Sequence, residues 1–170
     1  MSSNRPVTFA DQPSPDVALT HAPTPPPQIN AVPPEAVQLV GLAVDGLAAC
    51  AREQDPNQRF AGAQLAALRA AAALVAVRSR TSSDPQGMTR GRALNVWQLL
   101  ARVAPELSEW AAHFHYSEKR TAVAAGTTAV STREADDTLR DAAKFVAAVA
   151  RRLGIPSRRL DLTTQWLAVT

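Results

Sequence analysis

Between Phe60 and Val77 the only polar side chains are Gln64 and Arg69, and alanine fills half of the remaining positions or more. A segment of this kind folds as a helix, because alanine has the highest helix propensity of any residue. It is apolar on nearly every face, so it belongs in the middle of a bundle with other helices around it. Its side chains are small, so those neighbours can approach closely. The expected fold is therefore all-α, an up-down bundle of four to five helices.

Composition bounds the rest. The 170 residues are 46% hydrophobic but only 5% aromatic, so burial, at roughly 25 cal/mol per Å² of apolar surface, returns less per residue than in a Leu/Phe core. There are 18 basic and 15 acidic residues, a formal charge of +3. So small a surplus permits contact with nucleic acid without arguing for it. Cys50 is the only cysteine, which excludes an intrachain disulfide and a multi-cysteine zinc site; its Ala/Leu surroundings mark it as a small core residue. Arg69 and Arg78 break the best apolar window short of the roughly 18–20 residues of a membrane span, and the N-terminus lacks the pattern of a secretory signal. The expectation is a cytoplasmic protein without a membrane partner.

Residues 1–34 hold nine of the 13 prolines and read as a disordered or partly polyproline II arm. Residues 35–154 carry the helical patterns. Helix 1 is expected to run to about Glu53, with Val37, Val40, Val44, Leu47 and Cys50 inward. Asp55-Pro56-Asn57-Gln58 signals a new start after a turn of one or two residues, with Asp55 as cap and Gln58 completing a capping box. Helix 2 then extends to Arg78 or Arg80. A breaker-rich loop follows, flanked by Arg78, Arg80, Arg90 and Arg92, a candidate nucleic-acid contact through phosphate. Helix 3 is expected over Ala93–Ala104, with Leu94, Trp97, Leu100 and Val103 inward. Helix 4 is expected over Glu106–Ala125, with Leu107, Trp110, Ala111, Phe114 and Ala122 inward and Gly126 as its stop. Ser131-Thr132-Arg133-Glu134 is a capping box opening helix 5, whose stripe is Leu139, Ala142, Val146, Val149 and Leu153. Gly154 and Pro156 end it. The tail, 155–170, is more apolar than a solvated end, and Trp166 and Leu167 are candidate partner-binding residues.

Chemistry-bearing residues are sparse. His113 and His115 lie about 200° apart on a helix, too far round to share one metal, and no cofactor motif occurs: no glycine-rich phosphate loop, nucleophile elbow or His-Glu-x-x-His. His115 with Lys119 or Arg120 offers an acid/base and a phosphate clamp. Asp136, Asp137 and Asp141 sit where they can pair with Arg133, Arg140 and Lys144 along one face.

Three segments carry a family resemblance: Arg59-Phe60-Ala61-Gly62-Ala63-Gln64-Leu65 with the alanines after it, Val96-Trp97-Gln98-Leu99-Leu100 through Pro105-Glu106-Leu107-Ser108-Glu109-Trp110, and Arg133-Glu134-Ala135-Asp136. Together, over about residues 36–153, they resemble the actinobacterial SAV-type branch of the HEPN-like (higher eukaryotes and prokaryotes nucleotide-binding) helical domains. The resemblance implies four main helices and frequent homodimers. It also implies that catalytic relatives are metal-independent ribonucleases using an arginine followed four to six residues later by histidine. None of the three histidines here has an arginine so placed, and His115 and Arg120 hold the two types in reversed order, so no catalytic residue is carried over. The expected function is a non-catalytic binding or assembly module, homodimeric, with RNA, a nucleotide or a protein as partner. The alternatives are a divergent ribonuclease using His115, Arg120 and Lys119, and an antitoxin-like regulatory component binding through its tail.

Overall fold

The computed structural model describes residues 32–81, 94–124 and 129–156. Among these residues five helices pack together and no strand occurs: α1 (Pro34–Cys50), α2 (Pro56–Thr81), α3 (Val96–Val103), α4 (Ser108–Ala124) and α5 (Thr132–Arg152). The proline-rich arm up to residue 31, Arg90 and Arg92 of the basic loop, the expected stop at Gly126, and the tail with Trp166 and Leu167 lie outside the described residues.

α2 is the hub, packing against every other helix. Ala63, Ala66, Ala67, Ala70, Ala71 and Ala73 have no exposed surface. α1 runs antiparallel to α2 at close range. A Cβ on Gly62 would run into the Cys50 Sγ, and one on Gly46 would touch Ala66 and Arg69. This proximity explains a departure on α1, whose buried face is Ala36, Val40, Ala43, Val44, Leu47 and Cys50. Val37 lies off this face and is left 40% exposed. α1 also stops at Cys50 rather than Glu53, and residues 51–55 form a longer link than a one- or two-residue turn. There Asp55 Oδ1 accepts the Asn57 N–H at 3.0 Å, an N-cap bond. No bond from Gln58 completes a box among the described residues.

α2 departs from expectation in one respect. It is not covered all round: Leu65 and Leu68 are 44% and 36% exposed, and Ala61 and Ala76 are exposed on the same face. By length and composition α2 would also suffice to cross a membrane, Arg69 and Arg78 notwithstanding. In this fold nearly half of that apolar window is buried against other helices.

α3 begins at Val96, later than Ala93, because Asn95 caps it. The Asn95 side chain accepts the Gln98 N–H at 2.9 Å, and Gln98 Oε1 accepts the Asn95 N–H at 3.1 Å, a reciprocal capping box. Trp97 and Leu100 are buried, while Leu94 and Val103 are only partly so. Pro105–Leu107 forms a single 3₁₀ turn, which moves the start of α4 to Ser108. Leu107, Ala111 and Phe114 are buried as expected and Trp110 is half-buried; the Ala122 side chain lies outside the described set. α5 follows the sequence expectation in its cap, stripe and stop: Ser131 Oγ accepts the Glu134 N–H, the Ser131 half of the expected box, the stripe from Leu139 to Leu153 is buried, and Gly154 takes φ 67°. The Ile155 N–H then reaches back to the Ala150 carbonyl, a Schellman closure.

The large side chains gather where α3, α4 and α5 meet. Phe114 lies 5.3 Å from Trp97 and 5.4 Å from Phe145, centroid to centroid, and 6.1 Å from Trp110. Such ring pairs add about 0.5–1.5 kcal/mol each beyond area burial. The alanine contacts thus bring helices close, and one aromatic cluster supplies the bulky part of the core.

Polar ties hold both ends of the bundle. At one end the Arg59 guanidinium donates to Asp136 on α5 and to the Glu53 carbonyl after α1, and Asn57 Oδ1 accepts the Val130 N–H at 3.0 Å. At the other, Glu106 lies 2.7 Å from Arg78 and 3.5 Å from Arg152, while Arg78 also donates to the Val103 carbonyl at 3.1 Å. These bonds set the starts of α2 and α5 side by side and their ends side by side. The four long helices therefore alternate in direction around α2, and short α3 runs alongside it.

Replacing Gly62 by alanine forces Cys50 and α1 outward. The expected loss is about 1–3 kcal/mol, typical of overpacking. In a double-mutant cycle by chemical denaturation, Cys50→Ala is expected to recover part of that loss, whereas additive effects would show that α1 and α2 do not touch there. Glu106 offers a pH test. A bond from its own backbone N–H, and then Arg78 and Arg152, hold its carboxyl below the ordinary 4.5. A carboxyl lowered in the folded state contributes stability above its unfolded value and loses it as pH falls. Glu106→Gln is thus expected to lower the melting temperature slightly at pH 7, with the difference closing below pH 4.5.

Candidate functional site

A groove of about 450 Å³ opens between α4 and the first half of α5. Its α4 wall presents His113, Tyr116 and Ser117; its α5 wall presents Ser131, Arg133 and Glu134, then Asp137, Thr138 and Asp141. The spacing of both sets is helical: three or four residues bring each to the same face. α4 is held in place by Phe114, which points to the aromatic core one residue beyond His113, and by Gln64 of α2, whose Nε2 donates to Ser117 Oγ at 2.6 Å. The α5 wall is fixed by the Ser131 cap and by the Arg59–Asp136 tie beneath it. The first turns of α2 therefore position both walls.

The electrostatics of the groove are those of acceptors. Glu134, Asp137 and Asp141 face it at about one-turn intervals. Asp137 is paired by Arg140, and by Arg133 at 3.9 Å. Asp141 is paired by Lys144 at 3.2 Å, and His113 Nε2 lies 3.7 Å from it across the groove. The Arg133, Arg140 and Lys144 partners all sit on the surface, where such pairs are worth about 0–1 kcal/mol and exchange readily. Thr138 is different, since it is only 8% exposed, and its hydroxyl has no hydrogen-bond partner among the described residues. Tyr116, at the rim, is 70% exposed.

Among the described residues, those singled out by sequence do not converge. His115 turns away from the groove towards α3, where the Asn95 amide lies 3.1 Å from its Nδ1. Asn95 Oδ1 is already the cap acceptor, so its nitrogen donates and His115 Nδ1 accepts. Lys119 and Arg120 lie on α4 with side chains outside the described set. Arg78, a candidate phosphate contact, pairs with Glu106 and donates to the Val103 carbonyl. Arg80 is exposed. His113 and His115 do face different helices, as their spacing requires. Among the described residues no group of three or more His, Cys, Asp or Glu is arranged to hold a metal. Cys50 is buried, and burial followed by the Glu53 charge raises its thiol above the ordinary 9.0. That keeps it protonated and unreactive at neutral pH.

Sequence reasoning missed the groove because its walls lie far apart in the chain: nothing local relates His113 to Asp141. One signal was present, a threonine at position 138 on the otherwise apolar inward face of α5.

A family model, SAV_6107-like HEPN, matches residues 50–150. No curated protein and no solved structure matches the chain. The matched span takes in α2, the aromatic cluster and both walls of the groove, and covers more than half of the sequence: the chain belongs to the SAV_6107-like HEPN family.

Proposed function

We propose that this HEPN-like domain is a non-catalytic assembly module that pairs with a second copy of itself through the outer face of α2. The observation that carries the reading is the uncovered apolar stripe Ala61, Leu65, Leu68, Ala72 and Ala76, in which both leucines are more than a third exposed. Two such stripes crossing antiparallel about a two-fold axis near Leu68 set each Leu65 against the partner's Ala72, and each Ala61 against the partner's Ala76. Large side chains then meet small ones, as a self-complementary isologous contact needs. The same register brings Arg80 towards the partner's Asn57 and Asp55, so the helix ends match in charge.

Light scattering after gel filtration tests this directly. The full chain is expected to run as a dimer at tens of micromolar and the Leu65→Glu, Leu68→Glu double variant as a monomer of unchanged helicity. A wild-type monomer, or a dimer that survives both substitutions, refutes the pairing.

The non-catalytic half of the proposal is supported by the absence of an arginine four to six residues before any histidine and by the fixing of His115 against the α3 cap. Labelled structured RNA incubated without metal is expected to remain intact. Cleavage that leaves a cyclic phosphate and vanishes in His115→Ala would make the domain a ribonuclease instead.

A further inference from the structure

We infer that the groove between α4 and α5 is a recognition site for an arginine side chain on a partner peptide. The inference rests on residues other than the α2 stripe and stands or falls separately from self-association. Three features select this ligand. Asp137 and Asp141, one turn apart on the α5 wall, offer carboxylate acceptors whose present partners are exposed side chains, and a guanidinium fork matches carboxylates in a way an ammonium does not. Tyr116 presents an open ring at the rim, the surface over which a planar cation stacks.

Thr138 supplies the third and least expected feature. A hydroxyl on a residue this buried normally finds a partner. This one has none among the described residues, yet it is not sealed from solvent as the Ser79 hydroxyl is. Thr138 lines the groove, so a donor entering there would meet a hydroxyl oxygen able to accept it. A phosphate ligand would instead face three carboxylates against one lining arginine, Arg133, which argues against nucleic acid in this groove.

Titration calorimetry of the full chain with a capped Gly-Arg-Arg-Gly peptide, and with its lysine counterpart, tests the inference. Saturable binding of the arginine peptide is expected, with the lysine peptide clearly weaker. Asp141→Asn is expected to weaken binding about tenfold or more, the loss of a charge-assisted hydrogen bond. Tyr116→Ala and Thr138→Val are expected to weaken it severalfold, each with its melting temperature checked against wild type. Equal binding of the two peptides would reveal only attraction to an acidic surface and overturn the inference. So would the absence of saturable heat, affinity unchanged in all three variants, or displacement of the peptide by single-stranded RNA.

Discussion

Close approach of α1 and α5 to the alanine-rich α2 is the constraint on which the rest depends. Alanine buries little area, so each contact contributes little hydrophobic free energy. The compensation is geometric: side chains that end at Cβ let backbones come near, and dispersion contacts accumulate along the full length of the helices. Gly62 lies at a tight point, where even a methyl group would run into the Cys50 Sγ, and one on Gly46 would come into contact with Ala66. An economical core of this sort leaves room for few large side chains, and they are concentrated where α3, α4 and α5 meet. Trp97, Phe114 and Phe145 are all buried there.

Packing by small residues also specifies register weakly, because alanines at neighbouring turns are nearly interchangeable. The polar ties make up for this. Arg59 joins the start of α2 to Asp136 and to the end of α1; Glu106 gathers Arg78 and Arg152 at the opposite end. Each tie uses directional bonds to named partners, so a one-turn slip of α5 along α2 would break both sets. The same bonds carry function indirectly. Gln64 and Asn57, on the first turns of α2, hold Ser117 and Val130 on the two sides of the groove.

The molecule thus has two surfaces of different character. The outer stripe of α2 is apolar and uncharged, suited to another copy of the same helix. The groove is lined by carboxylates and hydroxyls beside an exposed tyrosine, suited to a cationic donor. Membership of the SAV_6107-like HEPN family establishes the domain and leaves its partner open.

Much of the fold was legible in the chain. The alanine run marked the central helix, the Ser131 cap and Gly154 bounded α5 at both ends, and helical periodicity picked out Trp97, Leu100, Phe114 and Val146 as core, because local propensity and capping act over a few neighbouring residues. Long-range placement was another matter. Sequence could not show that Arg78 pairs with Glu106, that Asp136 reaches across to Arg59, or that Leu65 and Leu68 stay uncovered. Nor could it place Thr138 opposite His113. Helix formation is decided by spacing along the chain, whereas which helix face meets which neighbour depends on the free energy of packing whole helices together. Charge pairs and grooves are made only by that second step.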